Sequence, residues 1–435
     1  MFTLPVFADE TSDLIASNTT AINSLWLLVA AALVLLMTPG VAFFYGGMVR
    51  AKSVISMMMM SFGAIALVAV LWVLYGYSLS FTSGSDWVIP HLLGNPFTNA
   101  LMLPQLADGG NLNALAFAGF QATFAIITVA LISGAIADRA KFSAWMVFAG
   151  IWVTIVYFPV ASWVFNFTLT DGKLTDGGWI VYLLGVNDFA GGTAVHINAG
   201  AAGLALALVL GKRVGFAKGM AKPHNVPLTL LGAALLWFGW FGFNAGSEAA
   251  VDGVAALAWI NTLAAPAAAT IGWLIVEKIK DGKPTSIGAA SGAVAGLVAI
   301  TPACNILTPG WGMLLGLITG AVCAIAIELK YKLGFDDSLD VVGIHLVGGI
   351  IGTLYIGIFG TNIGLIGRLA AGDPTPFSQL GAQALGALSV LVYSFVLAFV
   401  IGFIIEKTMG FRIKNEDELA GVDTVVHGEE GYALA

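Results

Sequence analysis

DFAGGTAVHINAGAAGLALALVLGKR (residues 188–213) decides the class of this protein. Between an acid at one end and two bases at the other lies an apolar run whose only ionisable side chain is His196. A run of this kind, about 20 residues long, crosses ~30 Å of hydrocarbon as a helix. Lipid leaves backbone polar groups no outside partner, so such runs read as helices. The short alternating strands of a barrel are not visible. The arrangement recurs in DVVGIHLVGGIIG (340–352), where Asp340 precedes an apolar run holding His345.

Outward from these two stretches the pattern repeats. Eleven hydrophobic segments run roughly over 24–46, 54–81, 114–137, 142–165, 188–210, 226–246, 254–276, 285–303, 311–329, 339–359 and 379–405. Of the 435 residues, 58% are hydrophobic and 10% charged, far below the ~25% charge of a soluble domain. The 54 glycines suit close helix approach in a membrane bundle.

Basic residues give the orientation. Sixteen of the 18 Lys+Arg fall in alternate loops and the tail, leaving only Lys173 and Arg368 on the opposite side. The positive-inside rule makes the basic side cytoplasmic, the N-terminus outside and the C-terminus inside. The expected domains are an extracytoplasmic segment 1–23, a membrane domain 24–405 and a cytoplasmic tail 406–435. Eleven spans divide into two inverted five-helix repeats, about 24–210 and 226–359, plus one further helix. Repeats of this kind place a substrate path at their interface. His196 lies in the last helix of one repeat and His345 in the last helix of the other.

A histidine inside a membrane is expensive and rarely faces lipid. The pair reads either as a hydrogen bond between helices or as the polar lining of a pathway. Neutral imidazole donates from one nitrogen and accepts at the other, which suits a small hydrogen-bonding solute or a proton relay. Aromatic residues form a second set. Phe120 and Phe124 share a helix face, Phe165 ends the next segment on the same side, and Phe243 and Ser247 lie in WFGFNAGS (240–247). They read as an interfacial aromatic belt or as a vestibule that attracts a cation by cation–π contact. Asp188 reads first as a helix N-cap, and through that role as a source of negative potential for an external cation; Asp340 reads the same way.

Other chemistries find little footing. Cys304 and Cys323 have no CxxC spacing, and the residues for a nucleophilic triad, a phosphate loop or a zinc site are not grouped. The N-terminus lacks the basic region of a cleaved signal peptide. Nucleic-acid binding has no basic patch to rest on. No cofactor is expected. A bis-histidine haem protein is a rival from another class, and a sensor that binds a small solute with little flux is a second.

Taken in order, TPGVAFFYGGMVRAKS (38–53), FQATFAIITVALISGAIADRAKFSAW (120–145), the 188–213 stretch, KPHNVP (222–227), WFGFNAGS (240–247), TPAC (301–304), DVVGIHLVGGIIG (340–352) and ELAGVDTVVHGEEGY (418–432) resemble the ammonium transporters, relatives of the Rh proteins. The resemblance implies a homotrimer with one pore per subunit, conducting ammonium or ammonia, with methylammonium also accepted. It implies an external site of Phe124, Phe165 and Ser247 with Asp188 in support. Below it would lie a stacked gate of Phe120 and Phe243, and then the pore histidines His196 and His345. Phe165 stands where many members carry tryptophan. The resemblance also implies a docked tail and a PII-type signalling protein at the cytoplasmic face.

Overall fold

The computed structural model describes residues 6–107, 110–216 and 222–432. Ten helices are long and apolar enough to cross a membrane, and one shorter apolar helix accompanies them. They are α1 (Val6–Met48), α2 (Ala51–Phe81), α3 (Leu112–Ile136), α4 (Phe142–Phe165), α5 (Gly192–Leu210), α6 (Val226–Gly246), α7 (Gly253–Lys280), the short α8 (Ser286–Ile300), α9 (Pro309–Leu333), α10 (Val342–Phe359) and α11 (Ser378–Thr408). Each corresponds to one hydrophobic segment of the sequence. A hairpin of β1 (Phe167–Thr170) and β2 (Lys173–Gly177) follows α4.

Three boundaries differ from the sequence reading, each for a local reason. The first helix does not begin at residue 24 but already runs from Val6. Its polar early turns are compatible with a helix: Thr19 and Thr20 donate their hydroxyls back to the Ile15 and Ala16 carbonyls. The eighth helix stops at Ile300, because Pro302 two residues on has no amide N–H to continue the hydrogen-bond ladder. The tenth helix begins beyond Asp340, which sits at φ 63° and pairs with Lys330. Its cap is Asp337, whose carboxylate accepts from the Val341 and Val342 amides at 3.1 and 2.7 Å. Asp340 is therefore not the N-cap that its place ahead of the apolar run implied.

Small residues set the helix crossings. A Cβ on Gly316 or Gly320 of α9 would lie 2.0 Å from the Ala265 or Ala269 carbonyl oxygen of α7. A Cβ on Gly232 of α6 would lie 2.1 Å from the Phe44 amide of α1. Backbones approach this closely only where side chains are absent, and dispersion then holds the helices together in lipid. α1 packs along α6, the first helix of each half, and α5 meets α10, the last of each.

At the basic end, buried charge binds the halves together. Arg139 donates to the Ser338 hydroxyl at 2.5 Å and to the Asp336 carbonyl at 2.6 Å. Arg213 bridges Asp138 and Asp336 at 3.1 and 2.8 Å. The tail folds back over this end. The Asp423 carboxylate accepts from the Ile55 and Ser56 amides at 3.0 and 2.7 Å. Glu418 pairs with Arg412 at 2.9 Å and accepts from the Val214 amide at 2.8 Å. Tyr432 bonds His224 at 2.8 Å.

Candidate functional site

Asp188 organises the start of α5. Its carboxylate accepts from the amides of Gly191, Gly192, Thr193 and Ala194 at 3.0, 2.5, 2.8 and 3.2 Å, and from the Thr193 hydroxyl. A carboxylate offers about four lone-pair sites, so these bonds commit its acceptors to the backbone. The residue also lines the cavity above it. What it holds in place is a π-helical turn, Gly192–Ile197, that carries His196. A second π-helical turn, Val342–Leu346, carries His345. Such turns are rare and concentrate at functional sites. Here each rotates one imidazole out of the regular helix register toward the other half.

The two histidines meet. Their Nδ1 atoms are 3.2 Å apart, with ring planes inclined by 18°. One nitrogen donates and the other accepts, the direction depending on the tautomers. A porphyrin iron has no room between nitrogens so close, which removes the haem arrangement. His196 Nε2 is buried and has no protein partner. Both rings border a narrow lumen of about 10 Å³, lined otherwise by apolar and aromatic side chains including Ile127, Leu131, Trp240 and Phe243. That volume accommodates about one small molecule at a time.

On the side of the hairpin, a vestibule of about 670 Å³ is lined by Phe165, Asp188, Ser247, Glu248, Gln121 and others. Phe124 meets Phe165 edge-on at 6.1 Å and stacks on Phe243 at 4.1 Å and 26°. Phe243 then faces His196 at 6.1 Å. The stacked phenyl pair thus lies between vestibule and lumen.

This corrects one sequence expectation. The ring stacked on Phe243 is Phe124, one helical turn from Phe120. Phe120 instead meets Phe124 edge-on at 4.8 Å and packs against Gly246, where an added Cβ would lie 2.9 Å from its ring. Two phenylalanines spaced i, i+4 share a face, and spacing alone does not say which lies over the path.

The remaining residues sort cleanly. Phe165 borders the vestibule, whereas Trp163 donates its indole N–H to the Leu92 carbonyl at 2.8 Å and packs on Tyr393. The Ser247 hydroxyl donates to the Phe243 carbonyl at 2.8 Å, leaving its oxygen as an acceptor. Cys304 and Cys323 are free and buried. Sequence reasoning missed Trp240, which stacks on His196 at 5.4 Å and is anchored to the Thr301 hydroxyl at 2.8 Å. Its place inside the WFGFNAGS motif was the available signal. It also missed Gln121, Glu248 and the cap Asp337. At the basic end, a smaller recess of about 50 Å³ is bordered by Arg50, Asp138, Arg213, Ser338 and Asp340.

The family model described as the Ammonium Transporter Family matches residues 25–432. The ammonium transporter of Mycobacterium tuberculosis is 51% identical, over 95% of this chain and 90% of its own length. That of Bacillus subtilis is 44% identical, over 94% of this chain and 98% of its own length. Among solved structures, one named "Sensor Amt Protein" superposes with a TM-score of 0.85 at 30% identity, covering 95% of this chain and 100% of the other. Mep2 of Saccharomyces cerevisiae superposes at 0.79 with 32% identity, covering 91% of this chain and 88% of the other. With the family model matched across the helical bundle, this chain belongs to the ammonium transporter family and is a multi-pass protein of the plasma membrane.

Proposed function

We propose that this protein takes up ammonium from the vestibule side, removes its proton near the phenyl pair, and conducts ammonia past His196 and His345 to the basic, cytoplasmic side. The observation that carries the reading is the imidazole pair in a narrow apolar lumen directly behind stacked phenyl rings.

Selectivity follows from chemistry rather than size. Ammonium and potassium have the same charge and similar radius. An intact ion entering an apolar lumen loses hydration at a cost of many kcal/mol. Ammonium escapes that cost by giving up its proton, and potassium has none to give. In the vestibule, the Phe124 and Phe165 ring faces attract the cation, the Ser247 oxygen accepts a hydrogen bond, and Asp188 adds negative potential. The lumen then presents a neutral donor–acceptor pair to a neutral molecule that both donates and accepts. Methylammonium, with the same ammonium head, enters the same site.

The protein works as a homotrimer with a pore in each subunit, and a PII-type signalling protein closes the pores at the basic face. The docked tail, held through Glu418 and Asp423, supports a regulated surface there. The family resemblance supplies the two partners.

The test is current from purified protein in liposomes on a solid-supported membrane, stepping ammonium and then potassium. A current with ammonium only supports selective electrogenic transport; a current with both contradicts the selectivity mechanism. The second reading, a sensor with little flux, is favoured by the likeness to the structure named "Sensor Amt Protein". An internal pH dye in the same liposomes separates neutral ammonia conduction from that reading.

A further inference from the structure

The vestibule holds a feature that the uptake reading above does not use. Glu248 directly follows Ser247 in the turn between α6 and α7, and borders the same cavity. Resting on that reading of the vestibule as the ammonium entry, we propose that Glu248 is a further binding residue of the outer site, a carboxylate that holds the ammonium or primary alkylammonium ion before deprotonation.

Three observations carry it. First, the other carboxylate bordering the cavity, Asp188, has its acceptors committed to five hydrogen bonds. It can add potential but not direct contacts, so a contact carboxylate must be Glu248 among the described lining residues. Second, the cavity presents an acceptor without a protein partner. Gln121 borders it, is 7% exposed, and its Oε1 has no hydrogen-bond partner. A buried amide oxygen left this way costs free energy unless a donor arrives. Ammonium brings four N–H donors, enough for Glu248, the Ser247 oxygen and Gln121 together. Third, no tryptophan is among the described residues that line the cavity. Phe165 supplies a phenyl face where an indole would attract a cation more strongly. A carboxylate beside Ser247 restores the lost attraction by charge.

The groups around Glu248 give the proposal a pH signature. Asp252 opens α7 as its N-cap, accepting from the Val254 and Ala255 amides at 2.9 and 3.0 Å, and shares a side-chain hydrogen bond with Glu248. Asp188 faces the same cavity from the start of α5, and the Cys304 thiol lies within the field of both carboxylates. No lysine, arginine or histidine borders the cavity among the described residues. Burial first, and Asp252 second, push the Glu248 carboxyl up to about 7. Its charge, and with it the capture of ammonium, is therefore gained as pH rises through that value. Ammonium itself stays almost fully protonated over the same range, so the substrate does not mask the effect.

The experiment uses the full chain in liposomes, comparing wild type, Glu248→Gln and Glu248→Asp. Initial ammonium uptake is measured from one pH unit below to one above about 7. Wild-type KM falls as pH rises. Glu248→Gln raises KM roughly two- to fivefold at the upper end, the scale of a partly exposed charge pair, and flattens the pH profile. Glu248→Asp retains the slope. A Glu248→Gln protein with wild-type KM and wild-type pH slope overturns the proposal and leaves Glu248 a turn residue only. A loss confined to the maximal rate overturns it as well. Binding is also read without transport, as the ammonium-induced rise in melting temperature of the detergent-purified protein. A rise that vanishes in Glu248→Gln while wild type shows no flux sustains the site and overturns the transport reading; a rise equal in both proteins overturns the site.

Discussion

His196 and His345, 149 positions apart, bring their Nδ1 atoms within 3.2 Å of one another across the interface of the two halves. Each is presented by a π-helical turn, and His196 is further fixed by stacking on Trp240. A hydrogen bond between neutral imidazoles uses one Nδ1 proton, so the two rings cannot hold the same tautomer. The pair has a direction, and a proton passed along it reverses that direction.

Trp240 is the support of this geometry. Trp240→Phe keeps an aromatic surface but loses the N–H that donates to Thr301. The expected result is retained folding with ammonium flux reduced about tenfold, since a misplacement near 1 Å at a working site costs on that order or more. Flux in liposomes, normalised to folded protein, checks it.

The phenyl stack makes a second test. Phe124→Ala removes the ring stacked on Phe243 and opens vestibule to lumen. Water then follows the substrate, and discrimination against potassium should fall by at least about tenfold, equivalent to ~1.4 kcal/mol of the barrier. Phe120→Ala leaves that stack in place and should lower stability more than selectivity. Potassium flux under a gradient separates the two variants.

Phe165→Trp makes a third. The ring borders the vestibule and meets Phe124 edge-on. An indole is the better cation–π partner by ~0.5–1 kcal/mol, so the ammonium KM should fall about two- to fivefold. The comparison is of uptake KM for the two proteins at one pH.

Much of this was legible in the sequence because apolar runs, loop bases and isolated polar residues each have a physical cost in lipid. The helical bundle follows from run length, and His196 and His345 stand out because an imidazole inside an apolar helix is anomalous. What the sequence left open depends on distances across the chain. Asp337 and Asp340 both precede α10, and only the backbone conformation shows that Asp337 faces the helix amides. Phe120 and Phe124 lie on one face, and only the position of α6 decides which ring Phe243 meets. Glu248 reads as a loop charge until the turn is seen to border the vestibule.

The Asp337 cap predicts a pH effect on stability. Burial pushes its carboxyl up to about 6. The folded value lies above the unfolded one, so the folded state binds the proton more tightly. The stability this contributes is present below the unfolded carboxylate range and is lost as pH rises through about 6. Asp337→Asn, a neutral acceptor of the same shape, should therefore flatten the decline in melting temperature between acidic and neutral pH. The check is thermal unfolding in detergent across that range.

Helix crossing gives a stability test independent of transport. Gly320→Ala drives a methyl against the Ala269 carbonyl oxygen and should cost ~1–3 kcal/mol as overpacking. Gly310→Ala, in the same helix with open space around it, should be neutral or slightly stabilising. Their melting temperatures decide the comparison.

The most direct measurement of the central claim is ammonium and potassium flux through the His196→Ala, His345→Ala double variant in liposomes, beside wild type. If ammonium gives up its proton and crosses as ammonia past this pair, the double variant loses ammonium transport or admits potassium. Unchanged ammonium flux with unchanged exclusion of potassium would contradict the account.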